Sequence, residues 1–444
     1  MNKELMEVKN GTLFYDGCDL THLASEFGTP VYVYSLNVIR SRIKELKDAF
    51  TADHTKNRIA YACKAFCCSA MFKLLQKEGL CADVVSGGEL YTAIKAGFPA
   101  ERLEFNGNNK SRGELDLAVE YGIGRVIIDS LQELSMLEEI CAAKEKKMNV
   151  LFRITPGVKA DTHDYIVTGR KDSKFGIPLD DDIILPCIKA AIDSKYVNFL
   201  GLHFHIGSQL FENDGYVAAT NEAMKLAEKI YGEYGVWIKE LNIGGGFGVT
   251  YTDEERKPFS FFLDPVRQTV EAYAMEYGLN VPALVIEPGR SVVAEAGITL
   301  YRIGSTKDIP GIRNYASVDG GMTDNIRPAL YGAKYTAIAA NKADAPPEKT
   351  VTICGKCCES GDIIIKDIEL PELKQGDILA VLSTGAYGYT MASNYNRNPV
   401  PGVLFIEDGS AEWAVKPQTY ENMTANDVIP RSLLLAPDRE KKNG

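Results

Sequence analysis

The chain has 444 residues, 45% of them hydrophobic, which is enough for a sizeable core and too long for one small domain, so two domains are expected. A formal net charge of -11 sets a like-signed field against nucleic acid or an anionic membrane and leaves small molecules as the natural partners. No apolar run approaches the ~18 residues of a membrane span, MNKELMEVKNGTLFYDG lacks a signal-peptide core, and ten cysteines, four in the adjacent pairs Cys67–Cys68 and Cys357–Cys358, suit reduced thiols, so a cytoplasmic protein is expected.

Residues 1–36 contain the strand-like runs GTLFYDGCDL and TPVYVYSL, which could pair with a C-terminal sheet and make that domain discontinuous. From residue 37, helical periodicity alternates with short β-rich runs. Eight strands are predicted in order: Arg58 to Cys63, Ala82 to Val85, Leu103 to Phe105, Arg125 to Ile128, Val150 to Ile154, Leu200 to His205, Glu240 to Ile243 and Leu284 to Ile286. The helices between them include Ser111 to Glu120 and Leu131 to Glu145, the second announced by Asp129-Ser130. Eight such units predict an α/β fold, a (β/α)8 TIM barrel over 37–295. Beyond it, SVVAEAGITLYRIGSTK, VTICGKC, IIIKDIEL, GDILAVLS and GVLFIEDG are separated by Gly, Pro and Asp turns and predict an antiparallel β-domain, a β-sandwich or β-barrel formed by 1–36 and 296–444. The terminal APDREKKNG reads as a frayed end.

In a TIM barrel the strand C-termini build the active site, and the loops after strands seven and eight hold phosphate. Strand seven ends in NIGGGFG, where Gly244, Gly245 and Gly246 let backbone N–H groups approach an anion, and strand eight ends in EPGR, where Gly289 precedes a charged clamp, Arg290. Neither a dinucleotide fingerprint nor a P-loop threads through residues 244–251. Strand one ends in YACKAF. Lys64 taken alone reads as a solvated charge, but a lysine facing a phosphate site across a barrel mouth is what the Schiff-base cofactor pyridoxal 5'-phosphate requires. Its pyridine nitrogen needs a carboxylate, and Glu287 is near enough in sequence to Arg290 to supply it.

Strand six ends in GLHFHIGSQ, putting His203 and His205 on one strand face, with Ser208 behind them; one histidine could lie against the cofactor ring. A metal reading of this pair finds no third ligand in His22, His54 or His163. CGKCCESGD contains a CxxC, Cys354 to Cys357, with no second pair to close a zinc site. It also sets the proton donor Cys358 beside Glu359, although a buried inert cysteine is the commoner outcome. DGGMTDNIRPALYG carries Arg327 and Tyr331 four residues apart, a grip for a distant carboxylate or an ordinary surface pair.

YACKAF, ADVVSGGEL, NGNNKS, SKFG, GLHFHIGSQ, LNIGGGFG, IEPGRS, DGGMTDNIRPALYG, CESGD and GAYGYTMASNYN, in this order from about residue 10 to 430, make the chain resemble the diaminopimelate decarboxylases, a family of fold-type III pyridoxal-phosphate enzymes. The resemblance implies that Lys64 carries the cofactor and His205 stacks on its ring. Ser208, Gly245, Gly246, Arg290 and Tyr387 would surround its phosphate, and Glu287 would face its pyridine nitrogen. It assigns the substrate to Arg290, Arg327, Tyr331, Glu359 and Tyr387, and the proton donor to Cys358 reaching in from the second subunit of a homodimer. The implied reaction removes carbon dioxide from the D centre of meso-2,6-diaminopimelate and yields L-lysine. Cys357 and Asn106 depart from residues common in the family without removing a motif residue. The alternatives are a sibling acting on ornithine, lysine or carboxynorspermidine, a racemase, and a silent homologue; Arg327 and Tyr331 argue against the first, the CESGD segment against the second, and Lys64, Glu287, Arg290 and Cys358 together against the third.

Overall fold

The structure, a computed structural model, describes residues 5–52, 54, 56–157 and 173–434; His163 and the APDREKKNG terminus lie outside them. The chain opens with a small antiparallel sheet of β1 (Met6–Lys9), β2 (Thr12–Tyr15) and β3 (Cys18–Asp19). GTLFYDGCDL therefore forms a sheet of its own and does not enter the C-terminal one, although the Leu13 N–H donates to the Ala340 carbonyl at 2.8 Å. TPVYVYSL supplies β4 (Val31–Ser35), which does enter that sheet.

All eight expected barrel strands are present, with ends shifted by up to three residues. They are β5 (Arg58–Ala62), β6 (Cys81–Val84), β7 (Leu103–Phe105), β8 (Arg125–Ile128), β9 (Met148–Thr155), β11 (Val197–His203), β12 (Glu240–Asn242) and β13 (Ala283–Ile286); the short β10 (Ile177–Pro178) pairs beside β9. Every neighbour pairs in parallel, and contacts of β9 with β8 and of β13 with β5 close the ring. Their near-continuous apolar runs suit strands covered on both faces. Three consecutive βα turns end in Ser-x-x-Glu, at Ser86, Ser111 and Ser130. In each the serine hydroxyl accepts from the glutamate's backbone N–H, and Ser111 with Glu114 completes a capping box. The helix from Leu131 ends at Ala143, two residues earlier than expected, where Glu145 turns into positive φ.

The second sheet runs β18 (Ile363–Leu370), β17 (Lys349–Cys354), β15 (Arg313–Val318), β14 (Gly297–Ile309), β4, β20 (Gly402–Glu407) and β21 (Ser410–Val415), with β19 (Ile378–Val381) joining β14 to β16 (Ala337–Ala339). It is mixed, not antiparallel: β15 with β17 and β4 with β20 pair in parallel. SVVAEAGITLYRIGSTK is not one strand either. Arg290–Val293 is a helical turn, because the chain must swing from the barrel mouth into β14, and Gly297 passes so close to Gly385 that a Cβ would lie 2.3 Å from its Cα. No helix among the described residues is long and apolar enough to cross a membrane.

The floor of the barrel, at the strand N-termini, is ionic. Arg125 contacts Glu104 at 3.3 Å and Glu240 at 3.2 Å, and Arg58 contacts Glu240 at 2.7 Å. Burial pushes the Glu104 carboxyl up to about 7 despite both arginines. Removing one cation from such a cluster leaves buried negative charge, so Arg125→Met is expected to cost about 3 kcal/mol, read as a lower urea midpoint; an unchanged midpoint would refute the role.

Candidate active site

Seven of the eight barrel strands carry, at or near their C-terminal ends, a polar residue around one mouth: Lys64 after β5, Asp83 in β6, Asn106 after β7, Arg153 in β9, His203 in β11, Asn242 in β12 and Glu287 after β13. Above them opens a cavity of about 700 Å³, lined among others by Lys64, His205, Ser208, Gly246, Glu287, Gly289, Arg290, Arg327, Tyr331 and Tyr387.

Glu287 is the centre. Its Oε1 accepts from Asn106 Nδ2 and Asn242 Nδ2, both at 2.9 Å, and His203 Nε2 lies 3.0 Å from Oε1 and 3.1 Å from Oε2. Burial alone would raise its carboxyl, but the hydrogen-bonded His203 and the Lys64 cation hold it down at about 2. Asn106 Nδ2 also donates to Asp83 Oδ1 at 2.7 Å, and burial followed by the Glu287 charge drives the Asp83 carboxyl well above the usual range. One amide therefore bridges two carboxyls whose proton affinities are driven in opposite directions. The amide at Asn106, noted above as a departure, is the joint.

His203 and His205 divide their work. Strand six stops at His203, which serves Glu287, and His205 lies beyond it, with Nδ1 3.3 Å from the Gly245 N–H. Desolvation, then the Lys64 and Arg153 cations, lowers its imidazole well below the ordinary range, so the ring is neutral with its proton on Nε2.

The expected glycine cradle is narrower than the sequence suggested. The Gly244 N–H is taken by Asn242 Oδ1 at 2.9 Å and the Gly245 N–H faces His205, so of the three only Gly246 lines the cavity. Gly245 is there for closeness: a Cβ would sit 2.0 Å from the Glu287 carbonyl oxygen. Gly289 packs on the Lys64 turn, where a Cβ would meet the Cβ atoms of Ala62 and Ala65 at 3.0 Å. Arg290 donates to Ser208 Oγ from Nη2 at 3.0 Å and lies 4.8 Å from the Tyr387 ring centre. Tyr387, at φ 60°, donates its N–H to the Ala65 carbonyl at 2.8 Å and so fastens the second sheet to the lysine turn.

Arg327 and Tyr331 enter on a helical turn, Arg327–Tyr331, from the second sheet's side. Arg327 Nη1 donates to Tyr335 Oη at 2.5 Å and to Tyr251 Oη at 3.0 Å, and Arg290 Nη1 donates to that same Tyr251 oxygen at 2.7 Å. Tyr251, Tyr335, Asp83, Arg153 and Asn242 were missed in the sequence. Asp83 and Asn242 had a signal, a polar residue at the end of an apolar strand. Cys358 and Glu359 are exposed on the turn between β17 and β18, where the Cys358 N–H donates to Asn396 Oδ1 at 2.7 Å, and neither lines this cavity.

An amine, an anion-binding end and an ionised carboxylate in one cavity fit a phosphorylated, electron-accepting heterocycle that bonds to the lysine through a carbonyl. A family model described as the pyridoxal-binding domain of pyridoxal-dependent decarboxylases matches residues 36–294. The chain is 50% identical over 421 residues to the diaminopimelate decarboxylase of Bacillus subtilis (strain 168), covering 95% of this chain and 96% of that one. The crystal structure of diaminopimelate decarboxylase from M. jannaschii in co-complex with L-lysine superposes with a TM-score of 0.91 at 36% identity, covering 97% and 99% of the two chains. That from Helicobacter pylori complexed with L-lysine gives 0.84 at 32% identity over 91% and 98%.

The geometry at His205 makes a direct prediction. A 15N NMR titration should find its ring neutral at neutral pH, with the proton on Nε2, and charging only at a pH below that of a free imidazole; a charged ring near neutrality would contradict the assignment.

Proposed function

The chain belongs to the pyridoxal-dependent decarboxylases, in the diaminopimelate decarboxylase family, and from that premise we propose that Lys64 carries its cofactor and that it acts at the D centre of meso-2,6-diaminopimelate. The reaction releases carbon dioxide and leaves L-lysine. Bound pyridoxal phosphate supplies the electron sink for the breaking carbon–carboxylate bond. The chain's own groups do the rest.

Glu287, buried and held low, would keep a proton on the cofactor's ring nitrogen, and the His205 ring, its imidazole lowered by burial, would cover the cofactor without adding charge. Ser208, Gly246, Arg290 and Tyr387, which line the cavity, would hold the phosphate end, and Gly245, its N–H turned to His205, would let the turn beneath them pack close. Arg290, Arg327, Tyr331, Tyr387 and Glu359 orient the substrate, and Cys358 returns a proton to the carbon that has lost carbon dioxide. Cys358 and Glu359 are exposed and outside the cavity of their own chain. They act in the cavity of a second copy, which makes the working form a homodimer. A cytoplasmic location suits this biosynthetic role, and all ten cysteines are free thiols.

One observation carries the choice of substrate. Arg290 and Arg327 are 8% and 7% exposed, and among the described residues neither is in an ion pair with a carboxylate. Two buried, unneutralised guanidinium groups in the lysine's cavity call for an anionic group at each end of the bound pair, cofactor phosphate and distal carboxylate. Ornithine or lysine, each ending in an amine, would leave that demand unmet.

The reconstituted protein is expected to release carbon dioxide and L-lysine from meso-diaminopimelate and to leave L-lysine, L-ornithine and carboxynorspermidine unchanged; turnover of one of those instead would reassign the pocket. Lys64→Ala should lose the absorbance of attached cofactor. Cys358→Ala should retain it and decarboxylate at least about 100-fold more slowly. Mixing the two inactive variants under subunit exchange should restore activity, and its absence after proven exchange would count against a shared site.

A further inference from the structure

We infer that Tyr251 is a positioning residue whose single phenolic oxygen fixes Arg290 and Arg327 relative to each other, and so sets how tightly the substrate's distal carboxylate is held; the inference rests on the substrate reading above.

Tyr251 Oη accepts from Arg290 Nη1 at 2.7 Å and from Arg327 Nη1 at 3.0 Å. Two like charges so close repel, and a shared acceptor is what keeps them in one place. Tyr335 holds Arg327 at 2.5 Å and Ser208 holds Arg290 at 3.0 Å. Among the described residues, only Tyr251 is hydrogen-bonded to both arginines. The division of Arg290 is informative: Nε and Nη2 turn to Ser208, on the anion-binding side, and Nη1 turns to the Tyr251 phenol that it shares with Arg327.

The phenol is also held independently of the arginines. Its ring is buried and packs edge-on against Tyr335 with centres 5.4 Å apart. Glu254 Oε2 accepts the backbone N–H groups of Tyr251 at 3.0 Å and Thr252 at 2.7 Å. Gln209 takes both backbone polar groups of Val249 at 3.0 Å. The arginines therefore conform to the phenol, and the site is shaped before the ligand arrives. With both acceptor positions used, the Tyr251 O–H meets no acceptor among the described residues, in a side chain that lines the cavity.

The test uses holoenzyme. Tyr251→Phe removes one oxygen and keeps the ring. It is expected to raise the KM for meso-diaminopimelate about tenfold while kcat stays within about threefold, and to weaken L-lysine binding, read from cofactor absorbance, by a similar factor. In an Arg327→Ala background the same substitution should change either quantity by less than about twofold, because a residue acting through Arg327 has nothing left to act on. An unchanged KM, a fall in kcat alone, or a full effect in the Arg327→Ala background would overturn the inference. Should Tyr251→Phe fail to fold, Glu254→Gln, which loosens the loop, must raise the KM in the same direction, and an unchanged KM there counts against the proposal. Wild-type protein that turns over no meso-diaminopimelate would sink the substrate reading; the L-lysine titration would still judge Tyr251.

Discussion

An ionised carboxylate buried near the barrel axis is the constraint around which the rest is arranged. Glu287 can keep its charge there only if donors replace the water it has lost, and His203, Asn106 and Asn242 do so. The Asn242 amide also reaches Glu104 Oε2 at 3.0 Å, and Glu104 rests on the arginines of the floor. A polar column thus runs from floor to mouth through an otherwise apolar barrel. Asp83 sits on the same amide as Glu287, and burial with the Glu287 charge drives its carboxyl upward while the donors around Glu287 hold that one low.

The second sheet finishes what the barrel begins. Arg290 sits on the turn where the chain leaves β13 for β14, so the anion clamp lies at the joint between the two halves. Arg327 and Tyr387 reach the same cavity from the other side, and the backbone bond from Tyr387 to Ala65 ties the lysine turn to the second sheet. Closeness at this seam depends on absent side chains, at Gly245 against Glu287, Gly289 against the lysine turn and Gly297 against Gly385. None of these three residues is at positive φ between roughly +20° and +160°; they are glycines because of what is packed against them.

Legibility followed the range of the interactions. The eight barrel strands were readable because period and turn chemistry are local, and their ends drifted because the ladder is not. That Lys64, Glu287 and Arg290 meet at one cavity was readable because the barrel fixes which end of each strand faces its mouth. The split between His203 and His205 was not: a two-residue period puts both on one face, but the strand ends between them and the second ring turns to a different partner. Tyr251 left no local trace, since its importance is two arginines 39 and 76 residues away. The turn at Arg290–Val293 was hidden by an apolar run that suits a strand as well as a buried helical turn.

The position of β4 shapes how the protein is made. Val31–Ser35 lies between β14 and β20, pairing with residues 297–300 on one side and 402–406 on the other. On a ribosome adding about 5–20 residues per second, the five-residue run VYVYS waits on the order of tens of seconds for its last neighbour. Both its edges are open until residues 297–300 are made and one stays open until 402–406 follow, and over that time its side chains, all destined for the core, lack their full cover. Synthesis, not the finished fold, is where this β-prone segment is most exposed to unintended pairing, and a shielding chaperone would find its earliest task within the first 40 residues.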